Sequence, residues 1–86
     1  VRLDKQILEL IAVGASVAAN CQPCLEYNVG KALEYGADGQ QIAAAIEVGR
    51  KVRQGAAAKM DQFALSLNDA APSVARATAG GCGCGS

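Results

Sequence analysis

The 86-residue chain has no histidine and no tryptophan. Without an imidazole, His-containing zinc sites are excluded, as is every mechanism that needs histidine as acid, base or ligand. Aromatic bulk is nearly missing too, since Tyr27, Tyr35 and Phe63 are the only aromatic residues. A core of Val, Ile, Leu and 18 Ala buries little area per residue. At about 25 cal/mol per Å² of apolar surface, a lone protomer of this size is marginally stable, which points to self-association. Net charge is absent: eight basic residues offset eight acidic ones. That excludes a strong electrostatic footprint for nucleic acid or an anionic membrane. Long hydrophobic runs are absent as well. Ile7 to Ala19 is apolar apart from Glu9 and Ser16 and follows Arg2 and Lys5, in the manner of a weak signal peptide. Asp4 and Glu9 argue against that reading, and the run falls short of the ~20 residues a membrane span needs. The expectation is a soluble protein with no membrane and no nucleic-acid partner.

What is present is helical periodicity. Leu3, Ile7, Leu10, Ile11, Gly14 and Ala18 recur at helical spacing, and Leu8, Ala12, Ala15 and Ala19 fill an adjacent stripe. A helix over about 3–19 with so wide an apolar face is expected to be buried on most sides. Glu9, Ser16 and Asn20 are its polar exceptions and share one face. Asn20 is a candidate cap for a second helix, with Pro23 in its first turn and Leu25, Val29, Ala32 and Leu33 facing the core. Gly36 is placed to close that helix in the left-handed conformation. Asp38 and Gln41 have capping-box spacing and open a third helix, with Ile42, Ala45, Ile46, Gly49 and Val52 inward. Arg50, Lys51 and Arg53 suit its negative end, and Gly55 is read as its stop. A fourth helix is expected from Ala56 to Leu67, with Met60, Phe63, Ala64 and Leu67 on its apolar face. Pro72 to Ala77 is read as a short further turn, and 79–86 as a Gly/Cys-rich tail. No stretch alternates with period two. The fold class read from the chain is all-α, a small bundle of four to five helices in a single domain, 1–78.

The four cysteines form two local pairs, Cys21/Cys24 and Cys82/Cys84. A secreted disulfide scaffold spreads its cysteines, so the pairs suggest an intracellular, cytoplasmic redox or metal role. In Cys21-Gln-Pro-Cys24 the C-x-x-C spacing lets one sulfur trap the other as a disulfide. A helix N-terminus there favours the thiolate, the form that attacks. The Cα atoms are expected about 4.4–6.8 Å apart, as disulfide geometry demands. A C-x-P-C turn also occurs in the thioredoxin fold, but that fold needs a βαβ unit and no strand is visible. Two other readings stand beside the redox one. Cys21 and Cys24 are small buried residues at a helix junction, or Cys21, Cys24, Cys82 and Cys84 give four thiolates to a metal, although C-x-C is tighter than usual zinc spacing. Cys82 and Cys84 are either a mobile resolving pair or inert.

Glu9 is a lone carboxylate in a helix otherwise apolar for three turns. Either it faces solvent on the stripe of Ser16 and Asn20, or it is buried and serves as a proton donor or acceptor.

Glu9, eleven intervening residues, Cys21-Gln-Pro-Cys24 and then Asn28 resembles the active-site motif E-x₁₁-C-x-x-C-x₃-H of the alkylhydroperoxidase D-like core. That core belongs to the carboxymuconolactone decarboxylase superfamily. Flanking text fits as well: Leu3-Asp-Lys5, Ala19-Asn-Cys21, Cys24-Leu-Glu-Tyr27, Ala32-Leu-Glu34, Gly36-Ala37, Ile42-Ala43 and Glu47-Val-Gly-Arg50. The likeness covers roughly residues 3–65.

The resemblance implies an all-helical protomer that forms a homo-oligomer (trimer, dimer or hexamer). It implies a thiol-dependent peroxidase or disulfide reductase acting on a peroxide or disulfide, with an external dithiol as reductant and no cofactor. It places Cys21, Cys24, Glu9 and Asn28 in the catalytic site, with Cys24 attacking and Cys21 resolving. The family's proton relay runs from the Glu through a His to a cysteine. Asn28 occupies that His position and cannot carry a proton at neutral pH. The relay then runs from Glu9 through water, with Glu9 expected within one water of Cys24 or Asn28, or activity is weakened. A helical oligomerisation protein that has lost turnover is the remaining reading. The C-x-x-C pair points away from the decarboxylase members.

Overall fold

The computed structural model describes residues 2–70. Three helices make up the described chain: α1 Lys5–Ala18, α2 Gln22–Glu34 and α3 Gly39–Ala70. No strand occurs among the described residues, so the all-α class holds.

Each boundary has a local cause. Asp4 caps α1, its Oδ1 accepting the Ile7 N–H at 2.9 Å. At the other end Asn20 N–H donates to Val17 O and Cys21 N–H to Ser16 O, both at 3.0 Å. This paired closure needs a left-handed residue, and Asn20 supplies it at φ 58°. Asn20 therefore ends the first helix and does not cap the second, as its side chain had suggested. Cys21 is the N-cap of α2. The same closure recurs after α2, where Gly36 at φ 95° donates to Leu33 O and Ala37 to Ala32 O. The capping box is present as expected: Gln41 N–H donates to Asp38 Oδ1 at 2.8 Å, and Asp38 N–H to Gln41 Oε1 at 2.9 Å.

The expected stop at Gly55 is absent. α3 continues through it, so the third and fourth expected helices are one, and the described chain has three helices where four to five were expected. Gly costs about 1 kcal/mol relative to Ala in a helix interior. Here Arg53, Gln54 and the run Ala56-Ala-Ala58 flank it with strong helix formers, and Gly55 does not adopt the positive φ of a cap. The readings of Pro72 to Ala77 and of the 79–86 tail lie outside the described residues.

The described chain divides into two units, one ending at Gly55 and one beginning at Ala56. In the first, α1 and α2 fold back on each other: Asn28 meets Ser16 near the turn, and Gln6 Nε2 donates to Tyr35 O at 3.2 Å at the far end. Val13, Ala32, Ala37 and Ile42 form the core, with Leu10, Leu25, Val29, Ala45 and Ile46 packed around it. α1 and the first half of α3 cross where both carry glycine. A Cβ on Gly49 would collide with the Gly14 carbonyl and lie 2.9 Å from Val17 Cβ, so the backbones touch. The expectation that α1 is buried on most sides is corrected within the protomer. Its buried residues are Val13, Ser16 and Val17, whereas Ile7, Leu8 and Ile11 are exposed, as is Leu3 just before the helix. The helices among the described residues are too few to cover a face that wide. Leu33 and Val52 are exposed as well, contrary to their inward assignment. In the second unit Met60, Phe63 and Leu67 are exposed.

Candidate functional site

The three-residue link between α1 and α2 sets up the site. The left-handed turn at Asn20 redirects the chain so that Cys21 becomes the N-cap and Cys24 falls in the first turn of α2. Cys21 and Cys24 are joined as a disulfide, with Cα atoms 5.2 Å apart. This lies within the separation expected from the spacing. Cys21 Sγ also accepts the Cys24 N–H at 3.3 Å, a capping bond in which sulfur takes the place of the usual oxygen. Cys24 is exposed and Cys21 half-buried, so the two sulfurs are not equivalent to solvent.

Asn28 lies one turn beyond Cys24 on α2 and is half-buried. Its Nδ2 donates to Ser16 Oγ at 3.1 Å, and that hydroxyl donates to Ala12 O at 2.7 Å. Buried Ser16 is thereby satisfied, and the pair ties α1 to α2 beside the cysteine turn. Glu9 stands seven residues before Ser16, about 10 Å along the axis at 1.5 Å per residue. It is half-buried, and its Oε1 is fully covered without a hydrogen bond. Asn28 thus meets Ser16, and Glu9 makes no hydrogen bond to Asn28 or to either cysteine. Tyr27 is exposed, with the Lys31 ammonium over its ring at 5.8 Å.

The fold brings one further residue to the site. Arg53, from α3, donates through Nη1 to Asn20 Oδ1 at 3.1 Å and to Val17 O at 3.4 Å. It clamps the end of α1, including the residue next to Cys21. Beside this clamp is a cavity of about 180 Å³ lined by Ser16, Val17, Asn20, Cys21, Gln22, Leu25 and Arg53. The position of Arg53 near Gly55 suggests only a helix-end charge. The signal that points to it is its spacing: it stands one turn beyond Gly49, on the face that approaches α1.

Among the described residues, no three His, Cys, Asp or Glu side chains gather as a metal site would require. Cys82 and Cys84, which the four-thiolate reading needs, lie outside the described residues. No helix among the described residues is long and apolar enough to cross a membrane.

The profile of the carboxymuconolactone decarboxylase family matches residues 1–66. A curated relative from Paracoccus denitrificans, "Uncharacterized protein 4 in cox locus", is 39% identical over 67 residues. The match takes in 78% of this chain and spans 60% of the relative's length. No solved structure matches.

Proposed function

The chain belongs to the carboxymuconolactone decarboxylase family, and on that premise we propose that it is a thiol–disulfide oxidoreductase with peroxidase-like activity. The observation that carries the reading is the Cys21–Cys24 disulfide at the start of α2, with Cys24 open to solvent. A buried structural disulfide needs no access, whereas a catalytic one must meet a reductant. The substrate is a peroxide or a disulfide, and an external dithiol restores the pair. With a hydroperoxide, one thiolate attacks the distal oxygen, the O–O bond breaks and the alcohol leaves. The other thiol condenses with the sulfenic acid, releasing water and closing the disulfide. Glu9 is the proposed acid, acting through water because Asn28 cannot relay a proton. The working unit is a homo-oligomer.

The test is consumption of tert-butyl hydroperoxide by the full chain with dithiothreitol, wild type against Cys21→Ser and Cys24→Ser. Turnover in the wild type that either substitution abolishes supports the proposal. Equal background rates in all three proteins contradict it. Metal release on thiol blocking, without turnover, would favour a metal module instead.

A further inference from the structure

Among the described residues Arg53 has no anionic partner at the cysteine turn. Both its acceptors, Asn20 Oδ1 and Val17 O, are neutral. The described ion pairs are Lys31–Glu34 and Arg50–Glu47, and neither includes it. Clamped to the end of α1, the guanidinium lines the cavity with its charge open to an anion formed there. Of the residues lining the cavity, Arg53 alone is charged, and Cys21 is the one that reduction turns into a thiol, while Ser16, Asn20, Gln22 and Leu25 are uncharged. Cys21 becomes an anion when the disulfide is reduced, and it also accepts the Cys24 N–H. Cys24, by contrast, does not line the cavity and faces solvent.

We propose that Cys21 is the sulfur that attacks substrate, that Arg53 is the positioning residue that holds its thiolate, and that Cys24 is the sulfur that meets the reductant. This rests on reading the pair as a redox centre, and it reverses the roles implied by the family resemblance. In the reductive half, a thiolate of the external dithiol attacks Cys24 Sγ. The Sγ–Sγ bond breaks and Cys21 departs with the electron pair as the thiolate beside Arg53. The reductant's second thiolate displaces Cys24 from the mixed disulfide, closing the reductant as a disulfide. In the oxidative half, Cys21 attacks the distal oxygen of a hydroperoxide. The S–O bond forms, the O–O bond breaks, and the alkoxide takes its proton from water, along the route proposed for Glu9. Cys24 thiolate then attacks the sulfenic sulfur, and the departing hydroxide is protonated to water. The cavity on the Cys21 side has room for a small organic hydroperoxide.

The experiment is iodoacetamide alkylation of the reduced full chain across pH, with peptide mass spectrometry to assign the label. Limiting reagent at neutral pH is expected to label Cys21 ahead of the more exposed Cys24 in the wild type. In a Cys24→Ser background, Arg53→Met should cut the Cys21 alkylation rate at neutral pH about tenfold, since a nearby opposite charge shifts a titration by one unit or more. Arg53→Lys should restore most of that rate. Preferential labelling of Cys24 in the wild type overturns the proposal, and this arm needs no variant to fold. An unchanged Cys21 profile in a folded Arg53→Met protein, verified by circular dichroism, overturns it equally. Labelling does not require turnover. An Arg53-dependent profile in a protein that consumes no peroxide would leave the thiolate assignment standing and remove the peroxidase reading alone.

Discussion

Asn28 donates its amide to Ser16 Oγ and so ties α2 to α1 beside the cysteine turn. If a missing proton carrier limits the rate, Asn28→His should raise dithiol-dependent peroxide turnover at least about tenfold, because a positioned acid–base group contributes 10²–10⁴. The same change gives up one hydrogen bond, about 1 kcal/mol of stability, measurable by urea denaturation. Unchanged turnover would mean that protons reach the thiols by another path. Glu9 has one covered oxygen without a hydrogen bond among the described residues, an arrangement that costs free energy. Glu9→Gln is expected to leave the sedimentation coefficient unchanged and to slow alkylation of the cysteines near neutral pH. Unaltered alkylation would reduce Glu9 to a structural carboxylate. Cys21, Cys24, Glu9 and Asn28 were legible as candidates because a fixed spacing carries them, and of these the structure joins the two cysteines. Arg53 was not, since its partners Val17 and Asn20 lie 36 and 33 positions away. Only the crossing of α1 and α3 makes them neighbours.

The helices were readable where their signals are local. Asp38 with Gln41 and the left-handed Gly36 each act within a few residues, and both behave as their chemistry dictates. Asn20 and Gly55 show the limit of such signals. Asn is competent both as an N-cap and as a left-handed terminator, and the chain's need to close α1 decided between them. Glycine weakens a helix without having to end it, and the alanines beyond Gly55 carry α3 onward. Two substitutions separate the two kinds of glycine. Gly49→Ala should destabilise by about 1–3 kcal/mol, because the new methyl meets the Gly14 carbonyl and Val17 where α1 and α3 touch. Gly55→Ala places its methyl where no heavy atom lies within 4 Å, and should stabilise by about 0.4–1 kcal/mol. Chemical denaturation of both variants checks the pair. A destabilised Gly55→Ala protein would contradict an uninterrupted α3.

On the scale of the whole molecule, the described residues leave more large apolar side chains open than they bury in their core. A groove of about 720 Å³ between α1 and the first half of α3 is lined by side chains such as Ile7, Ile11, Val48 and Val52. Ile11 is 54% and Val48 61% exposed. Contiguous apolar surface of this kind marks an interaction site, and the proposed occupant is another copy of the chain. The interface should bury more than about 1,200 Å² per pair. Ile11→Glu is expected to shift sedimentation at micromolar concentration towards the monomer, and a wild-type monomer under those conditions would refute the assembly. The excess of apolar residues was legible in the chain, but which of them the protomer covers was not. That depended on α1 packing through Val13 and Val17 while its broader Ile7–Ile11 stripe stayed open. The central claim, however, is the redox cycle, and a single-turnover experiment tests it most directly. One equivalent of tert-butyl hydroperoxide is added to the fully reduced protein, and the peptides and the alcohol are quantified. The account predicts stoichiometric alcohol, loss of the Cys21 and Cys24 thiols together, and recovery of both with dithiothreitol. Peroxide that persists with both thiols intact would contradict it.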